Sequence, residues 1–89
     1  MMKVEFLSTF NKDLNKLSSA PVRKSLKTLI IKLESSENLS SIPNLKKLTR
    51  HKYAYRIRLG DYRVGFFFEN NVIQLARIAH RKDIYRIFP

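Results

Sequence analysis

Cysteine is absent from this chain of 89 residues, which rules out disulfide staples, cysteine metal sites and thiol nucleophiles. Two glycines are too few for a glycine-rich loop that cradles a nucleotide phosphate. No His, Asp and Glu arrangement has metal-ligand spacing, so neither a metal nor another cofactor is expected. No apolar run approaches the roughly 20 residues that a membrane span needs. The opening MMKVEFLSTF lacks the apolar core of a signal peptide. These absences predict a soluble, cytoplasmic protein with no membrane partner. Acidic residues are also scarce, seven against eighteen Lys and Arg, for a formal charge of +11.

The length fits one domain, residues 1–89, near the size where a single core is adequate but not generous. A hydrophobic content of 44% argues against wholesale disorder. The positive charge is uneven. Residues 46–89 carry eleven basic side chains against three acidic ones, and residues 1–45 carry seven against four. Such a field favours a polyanion, whether nucleic acid, an acidic protein or an anionic membrane. The bland alternative is a solubilising surface.

Periodicity predicts an α+β fold in the order β-α-α-β-β-β. A two-helix hairpin would pack on one face of a mainly antiparallel four-stranded sheet. Lys3 to Leu7 reads as a first strand, with Val4 and Phe6 buried. Ser8 or Thr9 is suited to cap a first helix carrying Phe10, Leu14 and Leu17 on one face. Pro21 suits the first turn of a second helix, whose stripe is Val22, Leu26, Leu29, Ile30 and Leu33. Ser35 to Asn44 reads as loop, and the basic run Lys46 to Lys52 as an approach to the sheet. Strands follow at Tyr53–Leu59, Tyr62–Glu69 and Val72–Ala79, joined by the tight turns Gly60-Asp61 and Asn70-Asn71. Alternation in the last strand is less regular, which leaves its facing open.

Alternation sets Arg56 and Arg58 opposite Tyr55, Ile57 and Leu59, and sets Arg63 opposite Tyr62, Val64 and Phe66. Such a sheet packs a core on one face and grips a polyanion on the other. His80, Arg81 and Tyr85 follow as a polar cluster. His80 reads either as a proton-transfer group or as a half-exposed strand-end residue, and Tyr85 either as a base-stacking group or as an anchor for the C-terminal segment. His51 reads as a surface or RNA-contacting group. Lys46, Lys47, Arg50 and Lys52 are candidates for sequence-independent attraction of an RNA backbone. Phe66 and Phe68 are expected in the core, while Phe67 shares the Arg63 face. Glu69 and Asp83 read as simple ion-pair partners of arginines, and no acidic pair is evident.

The element order, YRIRLGDYRVGF and the terminal HRKDIYR together resemble the RelE/ParE superfamily of bacterial type II toxins, over essentially the whole chain. The resemblance implies a RelE-like messenger RNA endoribonuclease, acting in the ribosomal A site, or a ParE-like poison of DNA gyrase. It also allows a relative that has lost activity. Carried over from the RelE branch, the catalytic set is Arg56, Arg58, Arg63, His80, Arg81 and Tyr85. The best-known family pattern has lysines at the first two positions. Arginine stays protonated, so Arg56 and Arg58 suit phosphate binding and not base catalysis. The implied reaction is metal-independent attack by the RNA 2′-hydroxyl, with His80 as proton donor. The implied partners are messenger RNA, the ribosome and a cognate antitoxin, with DNA reached only through the antitoxin complex.

Overall fold

A computed structural model describes residues 1–89. Its elements are β1 (Lys3–Phe6), α1 (Ser8–Lys16), α2 (Ala20–Ser35), a 3₁₀ turn (Leu39–Ser41), β2 (Leu45–Lys47), β3 (Ala54–Leu59), β4 (Tyr62–Glu69), β5 (Val72–His80) and α3 (Ile84–Ile87). They form the expected α+β fold, but the sheet has five strands in the order β1-β5-β4-β3-β2 and not four. The added strand lies within the segment read as a basic approach. Three residues are too few for alternation to reveal, and only pairing with β3 makes β2 a strand. β1 runs parallel to β5, and the other pairs are antiparallel.

The turns follow their side chains. Gly60 (φ 61°) closes β3–β4, and Asn70 and Asn71 (φ 54° and 62°) close β4–β5 in the left-handed region that asparagine tolerates. Pro21 sits in the first turn of α2, and Ser19 caps it by accepting from the Val22 N–H. The expected cap of α1 is not formed. Leu7 occupies that position, and the Thr9 hydroxyl donates instead to the Ala76 carbonyl at 2.7 Å.

That contact belongs to a larger arrangement. β1 pairs with β5 only as far as Leu75, leaving the rest of β5 as an edge. The first turns of α1 cover it. The Leu7 N–H donates to the Leu75 carbonyl, Thr9 to Ala76, and the Ile78 N–H donates to Asp13 at 3.0 Å. Asp13 also receives a two-pronged Arg77 contact at 2.7 and 3.0 Å. An exposed strand edge is a template for aggregation, and here a helix blocks it. The irregular alternation of β5 has its cause in a bulge, where Gly65 pairs with Arg77 and Phe66 with Leu75, so Ala76 is extra.

The main core lies between the sheet and the helix hairpin. It contains Phe10, Leu26, Leu29, Leu33, Ile57, Val64, Phe66, Ile73 and Leu75, with Tyr55, Tyr62 and Phe68 packed against it. Met2 is buried there, and Phe6, expected to be buried, is 44% exposed. Arg23 secures the hairpin by donating to the Leu17 and Leu14 carbonyls at 2.7 and 2.6 Å. No helix is long and apolar enough to cross a membrane.

The other sheet face is not wholly open, as alternation alone suggests. A smaller cluster of Ala54, Ala76, Ile84 and Phe88 covers part of it, with Phe67 packed alongside. Phe67 lies 5.2 Å from the Phe88 ring. Gly65 makes this possible, since a Cβ there would fall on the Phe88 ring. The C-terminal segment therefore roofs part of the arginine face and brings Tyr85 to the edge of the open remainder.

Candidate functional site: an arginine groove

A groove of about 140 Å³ remains on the open part of that face, lined by Asn44, Lys46, Arg56, Arg58, Arg63 and Tyr85. Strand pairing builds it. Lys46 on β2 stands opposite Arg56 on β3, and Arg58 stands opposite Arg63 on β4. Like charges directly across a sheet cost about 0.2–1 kcal/mol per pair, so this face works against its own stability, a cost that a bound anion would relieve.

Each arginine is held by a neutral group. The Arg56 guanidinium lies over the Tyr85 ring, 4.4 Å from its centre. Arg58 donates to the Asn44 side-chain oxygen at 3.0 Å. Arg63 donates to the Gly60 and Tyr62 carbonyls at 2.8 and 2.9 Å. None of the three takes part in an ion pair, and no carboxylate lines the groove. Orientation is thus supplied without neutralisation, which leaves three guanidinium charges and one ammonium for an incoming anion. Arg77 differs. It is committed to Asp13, and that hydrogen bond foremost, with the carboxylate charge, raises its pKa above the ordinary arginine value against the opposing effect of burial.

The groove gathers Arg56, Arg58, Arg63 and Tyr85 from the expected catalytic set, but not His80 or Arg81. His80 pairs in register with Tyr62, and its ring meets the Tyr62 ring edge-on at 5.6 Å. It lines a separate concavity with Asp13, Lys16, Tyr62 and Asp83, on the helix side of the sheet. Arg81 is exposed just beyond β5, and its N–H donates to the Asp61 carbonyl at 2.7 Å.

Of the basic run, only Lys46 lines the groove. Lys47 turns the other way, over the Tyr55 ring, and donates to the His51 and Lys52 carbonyls. Lys52 lies over Tyr53, and Arg50 is exposed. The His51 ring accepts weakly from the Tyr53 N–H at 3.4 Å and packs 5.3 Å from Phe67, so it orders its own turn. Asp83 forms an exposed ion pair with Arg86. Two residues escaped the sequence reading. Asn44 takes a left-handed conformation (φ 63°) and holds Arg58 by side chain and main chain. Asp13 meets its partner 64 positions away, beyond any local signal.

The family described as the ParE toxin of the type II toxin-antitoxin system parDE matches residues 4–85. Toxin RelE3 of Methanocaldococcus jannaschii is 38% identical over 89 residues, covering 99% of this chain and 100% of that protein. The crystal structure of the RelB-RelE antitoxin-toxin complex from Methanococcus jannaschii contains a chain similar at a TM-score of 0.82 and 35% identity. The match covers 96% of this chain and 99% of that one. An archaeal RelE-RelB complex from Pyrococcus horikoshii matches at a TM-score of 0.65 and 28% identity, covering 90% and 94%.

Proposed function

The chain belongs to the RelE/ParE superfamily of type II toxins, and we propose that it is a RelE-like endoribonuclease whose arginine groove holds the scissile phosphate of messenger RNA. The observation that carries this reading is the groove itself, with Lys46, Arg56, Arg58 and Arg63 converging without a carboxylate. The 2′-hydroxyl attacks the adjacent phosphorus, and the bond from phosphorus to the 5′-oxygen breaks. The products are a 2′,3′-cyclic phosphate and a 5′-hydroxyl end, so the enzyme needs no nucleophile of its own.

Arg58 and Arg63, side by side across the β3–β4 pair, fit the two non-bridging oxygens on which charge builds. Arg56 and Tyr85 position the ribose and its base, the ring offering a stacking surface that is 68% exposed. One proton leaves the 2′-hydroxyl and one reaches the 5′-oxygen. Lys46 and Tyr85 are the groove side chains able to exchange protons, since the arginines hold theirs. The ribosomal A site aligns the substrate, and alignment alone is worth several kcal/mol. Arg81 adds positive charge beside the β3–β4 turn.

A cognate antitoxin neutralises the toxin by covering this groove with an acidic segment, and charge complementarity speeds its association. DNA is reached only through that complex. The RelB-RelE complexes of the archaeal relatives support such a partner.

The match to a family named for ParE favours a second reading, a gyrase poison that binds without RNA chemistry. Purified protein added to ribosomes programmed with messenger RNA separates the two. Cleavage leaving a cyclic phosphate, reduced about 100-fold or more by Arg58→Ala, supports the nuclease. No cleavage, with gyrase-linked DNA breaks in a parallel reaction, supports the poison.

A further inference from the structure

The Nδ1 atom of His80 accepts a hydrogen bond from the Lys82 N–H at 3.1 Å. The His80 carbonyl accepts from the Asp83 N–H at 2.8 Å, so one residue closes the turn with both its side chain and its main chain. This turn leaves β5 and leads directly into α3. The Arg81 N–H anchors its outer side to Asp61. The His80 ring is in turn held edge-on against Tyr62, its register partner on β4.

α3 is four residues long, and no side chain caps its start. A single turn of helix has no stability of its own, because nucleation fixes several dihedrals for one hydrogen bond. Its place depends on the turn before it and on the burial of Ile84 and Phe88 behind it. Between those two anchors stands Tyr85, the aromatic floor under Arg56.

We propose that His80 is a positioning residue, an imidazole latch whose Nδ1 fixes the 80–83 turn and thereby sets Tyr85 against Arg56. In this role the ring acts as a hydrogen-bond acceptor for the backbone and transfers no proton to RNA. Its placement explains how a histidine on the helix side of the sheet serves a groove on the other side. Asp13, Lys16 and Asp83 share its concavity, with Tyr62 at its edge, and none of them lines the groove. The catalytic part of the inference rests on the RNA-cleaving reading, whereas the latch itself does not.

The geometry supplies a sharp test. An asparagine side-chain oxygen sits where Nδ1 sits and closes the same turn, as asparagine does in Asx-turns. A glutamine reaches toward the position of Nε2 and leaves the Lys82 N–H unpaired. The experiment compares His80→Asn, His80→Gln and His80→Ala. It reads hydrogen exchange of the 84–88 amides without RNA, and codon-linked cleavage with ribosomes. The expected result is near-normal protection and cleavage in His80→Asn. Both Gln and Ala variants should exchange α3 faster and cleave about ten- to a hundredfold more slowly, the scale of loss from a small misplacement.

Equal inactivity of all three variants with α3 fully protected would overturn the proposal, since the ring would then act on the reaction itself. Full protection and cleavage in His80→Ala would overturn it too. If wild-type protein cleaves no RNA, the nuclease reading fails, and the exchange comparison still decides the latch.

Discussion

At the residue scale, what separates the groove arginines from a structural one is the partner each faces. Arg77 faces a carboxylate and is spent on holding α1 to β5. Arg56, Arg58 and Arg63 face a ring, an amide and two carbonyls, and keep their charge. Opposite consequences follow from substitution. Arg58→Gln removes one half of a like-charge pair, so thermal unfolding should show stability unchanged or raised by about 0.5 kcal/mol while RNA cleavage is lost. A clear loss of stability would mean that the Asn44 contact outweighs the repulsion.

Asp13→Asn weakens the Arg77 contact and the cap on Ile78, so denaturant titration should show a loss of about 2 kcal/mol. The pH dependence of the Arg77 contribution has a definite sign. Its folded pKa is raised, so the stabilisation is complete below the ordinary arginine value and is lost only as pH rises through the folded one. Titration of Arg77 therefore gives no change in stability across the neutral range, which unfolding curves at several neutral pH values can check. Alternation made the facing of Arg56, Arg58 and Arg63 legible, because strand geometry fixes it locally. The neutral partners were not legible, because Asn44 approaches from a loop and Tyr85 from the far end of the chain.

At the element scale, the short pieces carry the site. β2 has three residues, and α3 has four. Neither has enough length for a periodic signal, and both exist through what they pack on. The longer elements were readable for the opposite reason, with α2 showing its stripe and β3 and β4 their turns. β5 defeated alternation because of its bulge, which also turns Ala76 into the small cluster under Phe88. Gly65 is the position where this packing is most exposed to a single change. Gly65→Ala should push the Phe88 ring out, cost about 1–3 kcal/mol and speed hydrogen exchange of the 84–88 amides. Unchanged protection would show that the C-terminal segment does not depend on the close approach of that ring.

At the scale of the whole molecule, the proposed nuclease would draw RNA by two separate contributions, the charge excess and the groove. A net +11 draws any polyanion, and that attraction is long-ranged and salt-sensitive. The groove adds fixed contacts. For a single strand, each phosphate neutralised contributes about 0.7 to the slope of log affinity against log salt. Lys46→Gln with Arg58→Gln should therefore lower that slope by about 1.4, whereas Lys24→Gln with Lys27→Gln on α2 should leave it nearly unchanged. Binding of a short RNA at several salt concentrations makes the comparison. Composition revealed the field, and family resemblance supplied the chemistry. Only the folded sheet brings Lys46 beside Arg56 and sends Lys47 to the opposite face.

The arginine groove is proposed to cut messenger RNA. The most direct measurement maps RNA 5′ ends in cells after brief induction, with an Arg58→Ala protein of equal abundance and fold as control. New ends within translated codons, absent from the control, are the predicted result. Growth arrest without such ends, or the same ends in the Arg58→Ala cells, would rule out cleavage by this groove.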